Sequence, residues 1–373
     1  IKIKLKENYQ IASFVNNLKN NNKILNYNGD LDLSSKFKFS KLTSFDVKNS
    51  EMLVTNNGEI IIFDGKGNIS KLTNDLKLLW SFNFYSKKEK KLKPSINLAH
   101  NKESLIITDN LSNLYSLNLN NGKLIWKKKH SSAFNSQIKI FNEKIYSIDI
   151  DNSLQCFNIK NGEKIWEFKS ESTLIKSSKK SSIIINKNKI IYLSAVGDLN
   201  AIDIKNGDLI WQTPTQSISL FEDAFTTIYS DLVYEGNSVY FSNNKNELFA
   251  INTENGAVKW KNNVGSVFRP LIIDKIVITI SENNYLIIIN SDTGDIIRST
   301  KIKNKKKNLE FVGFILAKDK IFLSTISGVI IQINLFDGKI LSENKINKKI
   351  ISRPIVNNKS MYIISNSIIK KYN

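Results

Sequence analysis

The feature that most restricts how this chain can fold is an Asn-Gly pair with a tryptophan four residues after the glycine, repeated along the sequence. The clearest copy, Ala201 to Trp211, reads A-I-D-I-K-N-G-D-L-I-W. Asn121-Gly122 leads to Trp126, Asn161-Gly162 to Trp166, Asn206-Gly207 to Trp211 and Asn255-Gly256 to Trp260. Thr293-Gly294 and Asp337-Gly338 keep the turn but carry Arg298 and Ser342 in the tryptophan's place, and a weaker copy without glycine ends at Trp80. Asn-Gly between alternating apolar residues is a strong hairpin signal, because a type I′ turn needs positive φ at both central positions. The spacing therefore predicts a tight two-residue hairpin in each copy.

From Met52 onward the copies define units at 52–84, 94–130, 134–170, 181–215, 231–265, 268–302 and 311–347, with an incomplete one at 352–373. Each reads as four short strands. In the sixth these are Pro270 to Ile273, Ile276 to Ile280, Tyr285 to Asn290 and Asp295 to Thr300. Pro94, Pro270 and Pro354 each open a first strand, where a missing backbone donor is tolerated. Four strands in every 40–49 residues, with little helical periodicity, imply an all-β, eight-bladed β-propeller. Seven units and a three-strand remnant make eight blades if the remnant gains a strand. The period-two run at residues 30–41, D-L-D-L-S-S-K-F-K-F-S-K, supplies it from the N-terminal side and removes an exposed sheet edge. Seven blades with a loose tail is the alternative. Residues 1–29 read as an N-terminal arm lying on the surface, with a short helix over Ile11 to Leu18 ended by Asn20-Asn21-Asn22, and residues 30–373 as one propeller.

Composition narrows the function. The formal charge of +20 invites a nucleic-acid reading, but the cations are nearly all lysines, with Arg269, Arg298 and Arg353 the only arginines. Phosphate and base recognition favours the guanidinium fork, so no nucleic-acid partner is expected. An acidic partner or an anionic membrane surface remains compatible with the charge. A single cysteine, Cys156, forbids an intrachain disulfide and a cysteine-based metal cluster. No apolar run reaches the ~20 residues that span a bilayer. The chain begins at Ile1, which reads as a mature or trimmed product, so a secretion signal or lipid-bearing cysteine would lie upstream. The tryptophans read as packing groups lying against the next blade, with a ligand-binding stripe as the alternative.

The pattern A-x-D-x-x-N-G-x-x-x-W, carried by Ala201, Asp203, Asn206, Gly207 and Trp211, resembles the tryptophan-docking repeat of the quinoprotein (PQQ-like) propellers. Ala250, Asn252, Asn255, Gly256 and Trp260 repeat it with Asn for Asp. Within that superfamily the small chain with eight blades and no catalytic domain is similar to the BamB-like family, propeller lipoproteins of the machinery that inserts β-barrels into the Gram-negative outer membrane. The resemblance implies a non-catalytic scaffold on the periplasmic face of that membrane. It would dock the periplasmic domains of the barrel-insertion subunit and, by extension, nascent outer-membrane proteins. Two connections between blades carry that docking. Leu174, Ile175 and Lys176 match an apolar pair followed by a basic residue. Thr227 and Tyr229 stand where paired acids belong, with Glu222, Asp223 and Asp231 nearby.

The same fold carries PQQ-dependent dehydrogenases, so a quinone-dependent oxidoreductase is a second reading. A third is a basic propeller that binds another acidic partner or anionic lipid. Against catalysis, the acids lack the D-x-D-x-D spacing of a hard-cation loop, and neither G-x-S-x-G nor H-E-x-x-H occurs. His100 and His130 read as surface imidazoles. No cofactor and no metal site are expected.

Overall fold

Short apolar runs broken by Asn, Asp and Gly make strands, and strands bury their apolar faces only by stacking sheets. The computed structural model describes residues 17–50, 52–170, 179–215, 227–303 and 310–373. Among the described residues only two single-turn helices, Ser44–Lys48 and Lys87–Lys91, interrupt the strands, and each opens with a capping box. The strands form eight sheets in an eight-bladed β-propeller arrangement. The blades span 53–82, 96–129, 139–169, 183–214, 233–262, 271–301, 311–345 and 355–372. Blade 6 runs Leu271–Ile273, Ile276–Ile280, Tyr285–Asn290 and Ile296–Lys301, with Pro270 immediately ahead of its first strand.

Blade 8 has three strands of its own, Ile355–Asn357, Ser360–Ser365 and Ile368–Tyr372, and its fourth is Leu33–Lys38 from the other end of the chain. The pairing is antiparallel, from Leu33 opposite Tyr372 to Lys38 opposite Ile368. Phe37 and Phe39 hold it by packing on the buried cluster of Val54, Ile62, Tyr362 and Ile364. The chain divides into two compact units: blades 1, 6, 7 and 8, and blades 2 to 5 with residues 16–21. Within each, the core lies between neighbouring blades. Ile184, Leu193 and Ala201 of blade 4, for example, share one cluster with Val239, Phe241 and Phe249 of blade 5.

The type I′ turn expected at each Asn-Gly does not form, because only the glycine takes positive φ, as at Gly162 (+70°) and Gly207 (+84°). The hairpin instead has a four-residue loop. In blade 4 the Gly207 N–H donates to the Asp203 carbonyl (3.0 Å), and the Asp203 N–H donates to the Asp208 carbonyl (2.8 Å). The Asp203 carboxylate accepts from the Lys205 N–H at 2.7 Å, which is why Asn or Asp recurs four residues before the glycine. A β-bulge follows. Ala201 faces Trp211 while Ile202 faces Leu209, so Ile210 is the extra residue, and the same shift precedes the tryptophan position in blades 1 to 7. In blades 2, 3, 4 and 6 the bulge turns that side chain toward the next blade.

There the ring meets the next glycine. A Cβ on Gly162 would stand 2.5 Å from the Trp126 ring, one on Gly207 2.7 Å from Trp166, and one on Gly256 2.7 Å from Trp211. The indole N–H of Trp126 donates to the Ile159 carbonyl (3.1 Å) and that of Trp211 to the Thr253 carbonyl (3.2 Å). Arg298 keeps the same relation without an indole, its guanidinium donating to the carbonyls of Leu335 and Phe336. Trp80 and Trp260 are buried.

The N-terminal arm is not a surface passenger over its described part. Ile24–Leu25 adds a parallel fifth strand to blade 7, opposite Leu316 and Ala317. Ile24, Leu25 and Tyr27 are buried, and the Tyr27 ring meets Phe322 edge-on at 5.4 Å. Asn20, Asn21 and Asn22 are buried, so the Asn-rich run is interior, while most of the helix expected over Ile11 to Leu18 lies outside the described residues. Isolated apolar residues among Lys and Asn hid this, because a two-residue strand has no measurable period.

Gly207→Ala should cost about 1–2 kcal/mol through the left-handed backbone and about 1–3 kcal/mol more through collision with the indole. In a Trp166→Ala background only the first part should remain. Urea unfolding of the four proteins in this cycle measures both, and equal costs in the two backgrounds would mean the ring contact carries no energy.

Candidate functional site

The connections from blade 3 to blade 4 and from blade 4 to blade 5 lead into sequences that are unlike the other units. Leu174, Ile175, Lys176, Glu222 and Asp223 lie outside the described residues. The residues at the feet of both connections are described, and they converge.

Asp231 is the centre. Its carboxylate accepts two hydrogen bonds from Arg269, from Nε at 2.9 Å and from Nη2 at 2.5 Å. Lys179, just past the first connection, places its ammonium 3.7 Å from the same carboxylate and donates to the Tyr229 carbonyl, just past the second. The Arg269 side chain is 8% exposed, whereas Asp231 and Lys179 keep 23% and 30%. A guanidinium that buried needs its fork filled, and Asp231 fills it. Tyr229 turns inward as well, bridging to Asn243 and lying 6.2 Å from the Phe241 ring. Ile228 beside it is 45% exposed, with its N–H donated to the Asn244 side chain at 2.8 Å.

Of the described candidates, therefore, Asp231 and Tyr229 brace the feet of the connections and Thr227 is half-buried beside them. The acid expected near a partner is committed to an internal ion pair. Arg269 was not singled out from sequence as part of this site, although a signal exists. Two of the three arginines stand in R-P pairs ahead of a first strand, and Arg353 likewise reaches back, donating from Nε to the Phe314 carbonyl at 3.0 Å.

The histidines are not surface imidazoles in both cases. The His130 ring packs edge-on against Phe134 (5.3 Å) and Phe157 (4.8 Å), with Nε2 buried and without an acceptor. Burial holds its pKa below the ordinary histidine range, with Lys164 and Lys128 adding to the effect. Cys156 is buried, and burial raises its thiol to about 11. Among the described residues no group of three or more His, Cys, Asp and Glu side chains is placed to hold a metal ion. No helix of the described residues is long and apolar enough to cross a membrane.

The model of the family described as outer membrane protein assembly factor BamB matches residues 47–300. No curated protein matches the chain. Among solved structures, BamB from Moraxella catarrhalis superposes with a TM-score of 0.75 at 14% identity, covering 92% of this chain and 99% of that one. A europium-containing methanol dehydrogenase gives 0.71 at 11% identity, over 95% and 89% of the two chains. The quinohemoprotein alcohol dehydrogenase from Comamonas testosteroni gives 0.68 at 9% identity, over 94% and 78%. At these identities the likeness is one of fold.

Asp231→Ala should lower stability by about 1–3 kcal/mol, because a nearly buried guanidinium loses the carboxylate oxygen that accepts both of these hydrogen bonds. Lys160→Ala, which breaks a pair 72% exposed on both sides, should leave the unfolding midpoint unchanged. Thermal unfolding of the two variants distinguishes them. His130 gives a pH test. Its folded pKa lies below that of the unfolded chain, so its contribution is complete above about pH 6.5 and is lost as pH falls through the folded value. His130→Phe should remove that part of the acid-side slope, read as the midpoint of urea unfolding from pH 8 down to about pH 5.

Proposed function

Because the chain belongs to the family of the outer membrane protein assembly factor BamB, we propose that it is a non-catalytic scaffold of the outer-membrane β-barrel assembly machinery. It works on the periplasmic face of that membrane and docks the periplasmic domains of the barrel-insertion subunit through the connections of blades 3–4 and 4–5. The observation that carries this reading is the ion-paired cluster of Lys179, Asp231 and Arg269, which ties the feet of both connections together. A docking surface made of two separate segments gains affinity when the segments are held in register before the partner arrives. In that arrangement Leu174, Ile175 and Lys176 supply an apolar anchor and a charge, while Asp231 and Tyr229 fix where the anchor is presented. Nascent outer-membrane proteins are further clients of the same scaffold, and a lipid carried upstream would hold it at the membrane.

Lys176→Glu combined with Ile175→Asp should abolish capture by the purified periplasmic domains of the barrel-insertion subunit while the melting curve stays unchanged. Binding that survived both changes would place the docking surface elsewhere.

A further inference from the structure

The first strand of every blade but blade 7 is a sheet edge, and its outward N–H groups need acceptors. In blades 4 and 5 two such groups are capped by residues far away in sequence. Ile185 N–H donates to the Leu18 carbonyl and Tyr234 N–H to the Lys19 carbonyl, each at 2.9 Å. Leu18 and Lys19 are the middle of a turn closed by the Asn20 N–H and the Asn17 carbonyl at 3.2 Å. Asn20 sits at φ +57°, a left-handed conformation that asparagine tolerates better than most residues.

The Asn20 side chain is held from three blades. Its Nδ2 lies 3.0–3.1 Å from four acceptors: Gln137 Oε1, Ser182 Oγ and the carbonyls of Ile183 and Leu232. Its Oδ1 accepts from the Lys139 ammonium at 2.6 Å, and the same ammonium reaches the Asn17 carbonyl at 2.7 Å. Asn20 and Lys139 are both fully buried. A donor facing one end of the group and four acceptors facing the other is the signature of a carboxamide. A carboxylate of the same size would turn an oxygen toward the carbonyls of Ile183 and Leu232, and an alkyl group would offer none of the four acceptors a hydrogen. Around this centre the Lys19 ammonium lies 5.2 Å over the Tyr234 ring, and the Asn21 side chain donates to Glu235.

We propose that the first strands of blades 3, 4 and 5 form a binding site for a peptide turn recognised through one asparagine carboxamide, and that the chain's own Asn17–Asn21 occupies it as a releasable latch. A short segment held by polar contacts around a single buried side chain can open without unfolding the blades beneath it. Ser182 and Leu232 follow directly on the feet of the two connections, so the latch closes where those segments enter their blades.

Hydrogen exchange on the full-length chain tests this. In Asn20→Ala the amides of Ile185 and Tyr234 should exchange at least tenfold faster, while the central-strand amides of blades 4 and 5 keep their rates. Asn20→Asp, which preserves size, should behave alike. An excess of a capped peptide spanning Asn16–Asn21, added to Asn20→Ala, should restore protection, and the same peptide with alanine in place of Asn20 should not. Unchanged exchange in both variants, equal protection by both peptides, or faster exchange throughout blades 4 and 5 would each overturn the proposal. These readouts do not depend on the barrel-insertion subunit.

Discussion

A glycine held at positive φ under the ring of the preceding blade is the contact on which this fold depends. The glycine has two reasons to be there. The four-residue loop needs a left-handed residue at its end, and the ring needs a surface without a Cβ. At Gly162, Gly207 and Gly256 both demands fall on one atom position. The bulge before each ring supplies the third requirement, since without the extra residue the side chain would emerge on the wrong face of the strand. What is conserved physically is a flat group that covers the glycine and offers a donor to a loop carbonyl. Arg298 meets the same description as an indole, because a guanidinium is planar and has donors to spare. That is why the array tolerates a charged residue at one of its stacking positions.

Most of the architecture was legible in the sequence for the same reason. A repeated local conflict between backbone and side chain leaves a repeated mark, and the unit limits read from that mark coincide with the blades to within a few residues. The strand of residues 33–38 was legible as well, because Phe37 and Phe39 alternate with Lys36 and Lys38 at its end. The turn geometry was not. Asn-Gly suits a two-residue loop in isolation, and only the partner of the Gly207 N–H, four residues back, shows the longer one. Equally hidden was the bulge, since one extra residue between turn and tryptophan has no signature of its own. The N-terminal arm escaped because its anchors are single residues, Asn20, Leu25 and Tyr27, each fixed by tertiary contacts. At the candidate site Asp231 and Tyr229 were picked out by position along the chain, but their inward orientation was not, because it depends on Arg269, 38 residues after Asp231, and on Asn243 and Phe241 beside Tyr229.

The charge of the chain reads differently once its cations are sorted by environment. All three arginines are structural, bonded to Asp231, to loop carbonyls of blade 7 or to Phe314. Among the described residues four lysines are buried. Lys71 pairs with Glu59, Lys189 with Glu254 and Lys371 with Asp75, while Lys139 is enclosed by Asn17 and Asn20. Breaking such a pair leaves a charge without solvent or partner, so these few positions carry far more energy than the many exposed ammonium groups. An exposed lysine contributes to solubility and to long-range, salt-sensitive steering of an anionic partner, and little to specific recognition.

Specific recognition then has to come from places where polar groups are arranged before a partner arrives. Within blades 2 to 5 two such places adjoin. One is the cluster of Lys179, Asp231 and Arg269, and the other is the cradle around Asn20, joined to it through Ser182, whose Oγ accepts from the Leu232 N–H at 3.0 Å and from the Asn20 side chain at 3.1 Å. Leu232 is the neighbour of Asp231, so a displacement of Asn20 acts one residue away from the ion pair. Coupling of this kind requires no travelling distortion through the core. It requires only that one hydroxyl group serve two segments, and Ser182 serves both.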